Sequence, residues 1–286
     1  MAEKLQHISD EQETIEDIEI RLLLEAVYHM YGYDFRSYSK ASIRRRIAHR
    51  LDLSGLPTIM AMTDKVLRDR AFFVTLLNDL TVNVTEMYRD PPFYKRFREE
   101  VVPILKTFPF IKVWHAGCST GEEIYSMAIL LEEEGLYDRT QIYATDIDKN
   151  VLAVAKKGIY SIAAIRQYGD NYQRAGGRAS LSDYYTCKYD GVIIDQRLKR
   201  NIVFADHDLA TDQVFGEMNV IVCRNVLIYF DRDLQKRVFR LFADSLDLGG
   251  VLCLGTKESL QFSGLESEFE PIDSGMKIFR RKQVSL

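Results

Sequence analysis

The stretch that decides the fold runs from residue 111 to residue 123 and reads IKVWHAGCSTGEE. Its first six residues are mostly apolar and predict a short buried strand over 111–116. Glycines at 117 and 121 favour a tight turn, and the apolar spacing that follows predicts a helix over 122–134. A strand, a glycine-rich turn and a helix in this order indicate one unit of a parallel α/β sheet.

The same alternation continues towards the C-terminus. Strands are predicted at 141–145, 220–223 and 251–255 and helices at 149–157 and 232–246, with a final edge strand at 276–280. The alternation lapses over 160–202, which is rich in tyrosine and polar residues and contains Gly176-Gly177. Short β-prone runs there, such as Tyr189 to Asp195, predict an inserted subdomain with a few antiparallel strands.

The first part of the chain has a different texture, with helical periodicity and little strand character. Apolar residues recur at helical spacing over 20–27, at Ile43, Ile47 and Leu51, and again over 72–80. Arg89-Asp90-Pro91-Pro92 then marks a break, since a residue before proline avoids the helical region. We therefore predict a helical domain over residues 1–90 and an α/β domain over 91–286, whose first helix begins near Pro92.

Composition excludes several functional classes. The 286 residues carry a formal net charge of -4, which argues against bulk nucleic-acid binding. We expect no membrane insertion, because no apolar run is long enough to span a bilayer, and the polar, acidic N-terminus is unlike a signal peptide. The four cysteines and five histidines show no metal-binding or disulfide spacing, so we expect free thiols, no metal and a cytoplasmic protein.

The turn at 117–121 is the strongest chemical feature. It matches neither the dinucleotide pattern G-x-G-x-x-G nor a phosphate loop ending in Gly-Lys-Ser/Thr, and two acidic residues open the helix after it. These features favour a ligand with an adenosine part, a cationic centre and no phosphate, such as S-adenosylmethionine near Glu122. Asp146, at the end of the second strand, is placed to bind ribose hydroxyls. The alternative is that Asp146 caps the next helix, a task that Asp148 can also perform.

Four motifs in order then resemble one known family. They are NVTEMYRD at 83–90, CSTGEE at 118–123, ATDID at 144–148 and CRNVLIYF at 223–230. Together they resemble the CheR family of chemotaxis receptor methyltransferases, and the stretch from Tyr38 to Arg46 is similar to that family's N-terminal helical domain. The resemblance covers nearly the whole chain from about residue 20 onward.

The resemblance implies a small all-helical domain followed by a Rossmann-like methyltransferase domain that carries an inserted antiparallel β-subdomain. It also implies transfer of a methyl group from S-adenosylmethionine, leaving S-adenosylhomocysteine, to glutamate carboxylates of chemotaxis receptors for sensory adaptation. The implied cofactor contacts are Asn83, Thr85, Arg89, Glu122, Asp146, Asp208, Leu209, Arg224 and Asn225. Gly117 joins this set because its turn allows close approach of the backbone to a ligand. Arg89, Arg224 and Tyr229 would surround the substrate glutamate as catalytic residues.

The chain departs from the family pattern at four residues. Met87-Tyr88 replaces a pair that is more often two phenylalanines, and Asp208 stands where some members have asparagine. His115 takes a place where small residues are common, and we interpret it as structural. Purely structural roles are also possible for the three catalytic candidates. Arg89 could form a salt bridge at the domain junction, and Arg224 could simply be buried after its strand. Tyr229 could be a core aromatic residue whose hydroxyl reaches solvent.

The implied chemistry needs no general base, because a glutamate carboxylate with a pKa near 4.3 is already ionised at neutral pH. An arginine would hold the carboxylate through charge-assisted hydrogen bonds, and Tyr229 would fix its second oxygen. The basic helix at 39–51, with RRRIAHR at 44–50, would face the acidic helical cytoplasmic domain of a receptor, with the enzyme acting as a monomer. Whether the β-subdomain also adds a receptor tail peptide is left open.

Three other functions compete with this interpretation. A methyltransferase of the same fold acting on a small carboxylic acid or another protein would keep the turn and Asp146 but would not need the basic helix. A non-catalytic S-adenosylmethionine-binding module would have lost catalytic residues at positions 89, 224 or 229, where this chain keeps Arg89, Arg224 and Tyr229. A nucleic-acid methyltransferase would show an Asn/Asp-Pro-Pro-Tyr/Phe signature where this chain has Arg224-Asn225-Val226-Leu227.

Overall fold

The computed structural model describes residues 14–188 and 191–282. The predictions about the N-terminal segment and about Tyr189-Asp190 lie outside these residues. The chain divides into two compact units between Leu80 and Thr81, earlier than the predicted boundary after residue 90. The difference has a physical cause: Met87 and Tyr88 are buried in the hydrophobic core of the second unit, and the backbone N–H of Tyr88 donates to Ser126 Oγ at 2.9 Å.

The first unit is helical. It comprises α1 (Ile15–Tyr31), α2 (Lys40–Ser54), α3 (Ile59–Arg68) and α4 (Arg70–Leu80). Gly32 and Gly55 end the first two helices in the left-handed conformation. The predicted stripes form one core, in which Leu23, Val27 and Ile47 are fully buried.

The second unit begins with α5 (Pro91–Arg96), which continues through a π-helical segment (Phe97–Val101) into α6 (Val102–Leu105). The α/β elements follow in order. They are β1 (Ile111–Ala116), α7 (Glu122–Glu133), β2 (Thr140–Asp146), α8 (Lys149–Lys157), β3 (Ile159–Ser161), α9 (Ile162–Arg174), β4 (Tyr185–Lys188), β5 (Gly191–Ile194), β6 (Ile202–Asp206), β7 (Met218–Cys223), α10 (Arg232–Ser245), β8 (Leu246–Leu254), β9 (Phe269–Asp273) and β10 (Ile278–Arg281). The predicted helix–strand rhythm is therefore confirmed on both sides of the lapse at 160–202.

Seven strands form the main sheet in the order β6-β2-β1-β7-β8-β10-β9. The first five are parallel, and β10 runs antiparallel between β8 and β9. The prediction that 276–280 forms the edge strand is wrong, because β9 pairs with the outer side of β10 and takes the edge. The half-exposed pattern of β9 gives little apolar signal in the sequence.

The predicted subdomain is a separate antiparallel sheet in the order β3-β5-β4. Two elements of this region were not predicted. The first is α9, a helix of 13 residues that contributes Tyr168 and Tyr172 to the core. The second is β6, which pairs in parallel with β2 and has a mostly exposed face that hides it from periodicity.

The strand order determines which edge of the sheet can bind a ligand. The chain leaves β1 for β2 on one side, and β7 later returns to the other side of β1. A parallel sheet opens a crevice at such a switch point, beyond the carboxyl ends of the strands. The segments after β1, β2, β6 and β7 all begin at this edge, and they carry most of the predicted site residues.

Candidate functional site

The turn after β1 is fixed by the neighbouring strand. The backbone N–H groups of Gly117 and Cys118 both donate to Thr145 O at 2.9 Å. Gly117 has φ +79°, and a Cβ at this position would lie 2.4 Å from Val226 Cγ2. Glycine is therefore required both for the backbone conformation and for the close approach of the loop after β7.

Asp146 ends β2 and supports the same turn. Its carboxylate accepts hydrogen bonds from the Ser119 N–H at 2.8 Å and the Asp148 N–H at 3.0 Å. Asp148 caps α8, accepting from the Asn150 N–H at 2.8 Å, so capping does not require Asp146. Each Asp146 oxygen keeps one lone pair beyond these bonds, which leaves room for the predicted ribose contact. Burial raises the pKa of Asp146.

Glu122 opens α7 and is 6% exposed. Its carboxylate accepts from Thr120 Oγ1 at 2.7 Å and from the Tyr168 hydroxyl at 3.4 Å. Burial raises the pKa of Glu122. Tyr160, on the subdomain strand β3, donates to Thr120 O at 2.8 Å, so the inserted region also supports this turn.

These two carboxylates test the fit of the expected cofactor. Within 14–188 and 191–282, neither Glu122 nor Asp146 forms an ion pair, although both are buried. Buried negative charge without a cation is costly unless a ligand compensates it. A sulfonium and an ammonium group do so, whereas a phosphate would be repelled. The site therefore fits S-adenosylmethionine, and the roles of Glu122 beside its cationic part and of Asp146 beside its ribose stay predictions.

The loop after β6 approaches from the other side of Asp146. The His207 N–H donates to Asp146 O at 3.2 Å, which brings Asp208 and Leu209 to the edge of the crevice. Asp208 Oδ1 accepts from the Ala210 N–H at 2.8 Å, and Leu209 is buried. The aspartate side chain thus maintains this turn.

A buried ion network lies behind the crevice. Arg224 follows β7, and its side chain is only 1% exposed. Its terminal nitrogens donate to Asp90 Oδ2 at 2.6 Å and to Glu123 Oε2 at 3.2 Å. Glu123 also pairs with His115 Nδ1 at 3.1 Å, and the Arg224 guanidinium carbon lies 4.1 Å from the Phe93 ring centroid. Burial acts to raise the pKa of Glu123, but His115 and Arg224 outweigh it and lower that pKa.

This network bears on two predictions. The structural interpretation of His115 agrees with its burial in β1 against Glu123. The catalytic role of Arg224 stays a prediction, and the geometry does not favour it, because two carboxylates already hold both terminal nitrogens. Arg224 instead joins the Arg89-Asp90 turn to the cofactor turn.

Arg89 is placed differently. It is half-buried, and its guanidinium donates to Val84 O at 3.1 Å, while its own carbonyl accepts from Arg224 at 3.4 Å. Among the described residues it forms no ion pair. Asn83 and Thr85 lie half-buried in the same segment, which Arg224 contacts through the carbonyl of Arg89.

The segment after β7 carries the remaining predicted residues and one that the sequence did not reveal. Asn225 has φ +61°, and Tyr229 is half-buried in the 3-10 turn that follows. The unpredicted residue is Glu258, after β8, whose carboxylate accepts from the N–H groups of Asn225, Val226 and Leu227. Glu258 lies outside the four motifs, and its signal in the sequence is the spacing from Gly255 in the run GTKE at 255–258.

Two further properties of the fold concern metal binding and membrane spanning. Within the described ranges no cluster of histidine, cysteine, aspartate or glutamate could hold a metal ion. None of the helices there combines the length and the apolar character that crossing a bilayer demands.

Comparison with known proteins agrees with this geometry. Residues 83–278 match the family described as CheR methyltransferase, SAM binding domain, and residues 18–81 match CheR methyltransferase, all-alpha domain. A relative from Pseudomonas putida, the putative methyltransferase Cher3, is 55% identical over 93% of this chain and 97% of its own length.

More distant relatives carry a more specific name. The chemotaxis protein methyltransferase of Salmonella typhimurium is 29% identical over 89% of this chain and 88% of its own. Chemotaxis protein methyltransferase 2 of Vibrio cholerae is 31% identical over 82% of each chain. With both family domains matched in order over a crevice that fits the cofactor, this chain belongs to the CheR family of S-adenosylmethionine-dependent methyltransferases.

Proposed function

We propose that the chain transfers the methyl group of S-adenosylmethionine to glutamate carboxylates in the helical cytoplasmic domain of a chemotaxis receptor, forming glutamyl methyl esters. The names of the Salmonella and Vibrio relatives support the chemotaxis assignment. The observation that carries the choice of a carboxylate acceptor is the guanidinium of Arg89, which has no carboxylate partner among residues 14–188 and 191–282.

Arg89 and Arg224 are the two arginines predicted to meet the acceptor, and their surroundings separate them. Arg224 is fully buried and has two carboxylate partners, so an incoming glutamate would have to displace one of them. Within the described part of the chain, the Arg89 guanidinium donates to the carbonyl of Val84 and keeps further donors available. An arginine with free donors can bind a carboxylate through directed, charge-assisted bonds. Arg89 is therefore the residue that recruits and aims the substrate glutamate.

The other residues of the crevice have complementary tasks. The cofactor supplies an electrophilic methyl group on a sulfonium, and the acceptor glutamate is already ionised, so no general base is needed. Glu122 stabilises the positive charge of the cofactor, and Asp146 orients its ribose. Tyr229, in the turn next to Asn225, lines the path of the acceptor. Holding the reacting atoms in line is then the main contribution of the protein.

The helical unit is proposed to face the receptor, and the structure narrows the residues that can do so. Arg44 pairs with Glu16 and Asp17, and Arg50 pairs with Asp79. Arg46 donates to Asp79 O at 3.2 Å and to Leu80 O at 2.7 Å.

Arg45 is the arginine of the 44–50 run that remains exposed and without an ion pair among the described residues. An acidic receptor helix would therefore be met chiefly by Arg45, in a monomeric enzyme acting in the cytoplasm.

The test is transfer of labelled methyl groups from S-adenosylmethionine to a receptor cytoplasmic fragment, followed by mild alkali. Label that leaves as volatile methanol identifies a carboxyl methyl ester. Arg89→Ala should lower the transfer rate at least about a hundredfold, since it removes the charge-assisted contact that orients the acceptor. Arg174→Ala, at an exposed arginine on α9, should transfer at the wild-type rate.

Each contrary outcome points to a specific alternative. Cofactor binding without label on any receptor fragment would refute the receptor as substrate and favour a small carboxylic acid or another protein. Alkali-stable label would refute an ester. Full activity of Arg89→Ala would remove Arg89 from the acceptor site.

A further inference from the structure

Glu258 is a buried carboxylate outside every motif that identified the family. It follows β8 in the turn Gly255-Thr256-Lys257-Glu258 and is 4% exposed. Because β7 and β8 are parallel neighbours whose last residues, Cys223 and Leu254, pair in register, this turn lies beside the segment after β7. Glu258 thus reaches across the sheet edge to a loop 33 residues away in sequence.

Four backbone N–H groups converge on this one carboxylate. Oε1 accepts from Val226 and Leu227, both at 2.8 Å, and Oε2 accepts from Gly255 at 2.6 Å and Asn225 at 3.1 Å. An ionised carboxylate has about four lone-pair sites, so its accepting capacity is filled. Glu258 therefore has no free lone pair with which to act as a base or to contact a ligand.

The loop that Glu258 holds has an unusual conformation. Asn225 is left-handed at φ +61°, and a 3-10 turn begins two residues later at Leu227. Three successive N–H groups pointing to one side form a concave anion-binding nest. Without an internal anion these buried donors would be left unpaired, which is costly. Glu258 supplies that anion from within the chain.

Gly255 makes the arrangement possible. A Cβ at this position would lie 2.8 Å from Glu258 Oε2 and 2.9 Å from the Asn225 nitrogen. Burial raises the pKa of Glu258, and the four amide hydrogen bonds act against that rise. Gly255 thus leaves space for the loop, and the Glu258 carboxylate accepts the hydrogen bonds of its N–H groups.

We propose that Glu258 is the positioning residue for the loop after β7, holding Asn225 in the geometry that binds the cofactor and carrying Tyr229 to its place beside the acceptor. This role rests on the contact between Asn225 and the cofactor in the proposed site. It is independent of which carboxylate is methylated.

The test uses the full-length protein and S-adenosylhomocysteine, without any acceptor. Glu258→Gln keeps one accepting oxygen and turns an amide NH₂ towards two N–H donors. We expect the Kd for S-adenosylhomocysteine by calorimetry to rise about tenfold or more. Hydrogen exchange in the peptide covering 222–230 should accelerate to a similar extent, because its protected amides lose their acceptor.

Two controls separate positioning from general destabilisation. Leu260→Ala removes a buried apolar side chain from the same loop, and should lower the melting temperature while leaving the Kd within about twofold of wild type. Glu270→Gln removes an exposed carboxylate on β9 and should change neither quantity. Where Glu258→Gln does not fold, Glu258→Asp keeps the charge, withdraws the carboxylate from the nest and should weaken binding in the same direction.

The proposal is overturned if Glu258→Gln folds and binds S-adenosylhomocysteine with the wild-type Kd. It is overturned equally if Leu260→Ala weakens binding as much as Glu258→Gln does. Neither result would touch the receptor assignment, which the release of labelled methanol decides separately.

Discussion

Replacing Arg224 by methionine distinguishes an ion-pair role from direct contact with the substrate. The change removes the charge but keeps most of the side-chain volume. Glu123, whose side chain is 16% exposed, would lose the guanidinium of Arg224 and keep His115. Asp90, at 40% exposed, can be rehydrated and adds little. Removing one partner of a buried ion pair costs roughly 3–5 kcal/mol.

The lower end of that range is expected, about 3 kcal/mol, because Arg224 Nε is itself buried with no hydrogen-bond partner among the described residues, and methionine removes this cost. The assay is urea unfolding followed by the fluorescence of Trp114, the only tryptophan in the sequence. Trp114 is fully buried in β1, so its signal reports on the second unit alone. The midpoint should fall by about 1 M or more.

A matched control is Arg96→Met, which removes an arginine paired with Asp273 at 2.7 Å but 45% exposed. Such a surface pair contributes less than about 1 kcal/mol. Adding Glu123→Gln to Arg224→Met should recover part of the loss, since it removes the orphaned charge. If Arg224→Met unfolds like the wild type and loses only methyl transfer, the ion-pair reasoning is refuted and Arg224 acts on the acceptor.

Two further predictions concern the cofactor turn. Gly117→Ala should weaken S-adenosylhomocysteine binding. It should also destabilise the second unit by more than the roughly 1–2 kcal/mol of left-handed strain alone, because its Cβ would meet Val226. Gly135→Ala, at φ +69° with open space around it, measures the strain by itself, and equal effects of the two substitutions would contradict the packing argument. S-adenosylmethionine affinity should fall as the pH is lowered from neutral: burial raises the pKa of Glu122 and of Asp146, so each takes up a proton at a higher pH than an ordinary carboxyl. Glu122 then loses the charge that attracts the cation, and Asp146 loses accepting capacity towards the ribose. Calorimetry over a pH series below neutral checks this, Glu122→Gln should flatten the dependence, and a wild-type Kd that does not change before ordinary carboxyls titrate would speak against it.

The sequence alone determined the elements whose signal is local. The strand at 111–116 and the helix at 149–157 are observed with the predicted bounds, because apolar periodicity and turn residues act within a few positions. The order of the motifs likewise indicated the family and the cofactor, which the family matches confirm. The carboxylates Glu122 and Asp146 could be singled out because Glu122 opens the helix after the glycine turn and Asp146 ends the second strand.

Tertiary structure decided what depends on distant partners. β6 and β9 have weak apolar patterns and exist as strands because β2 and β10 offer them a pairing edge. Arg89 and Arg224 look equivalent in the sequence, but only the fold shows that Asp90 and Glu123 hold Arg224.

Glu258 illustrates the same limit most clearly. Its carboxylate accepts hydrogen bonds from N–H groups of a loop that lies 31 to 33 residues earlier in the sequence. Periodicity and capping signals describe a chain relative to its near neighbours, whereas burial and hydrogen-bond satisfaction depend on which segments meet across the sheet.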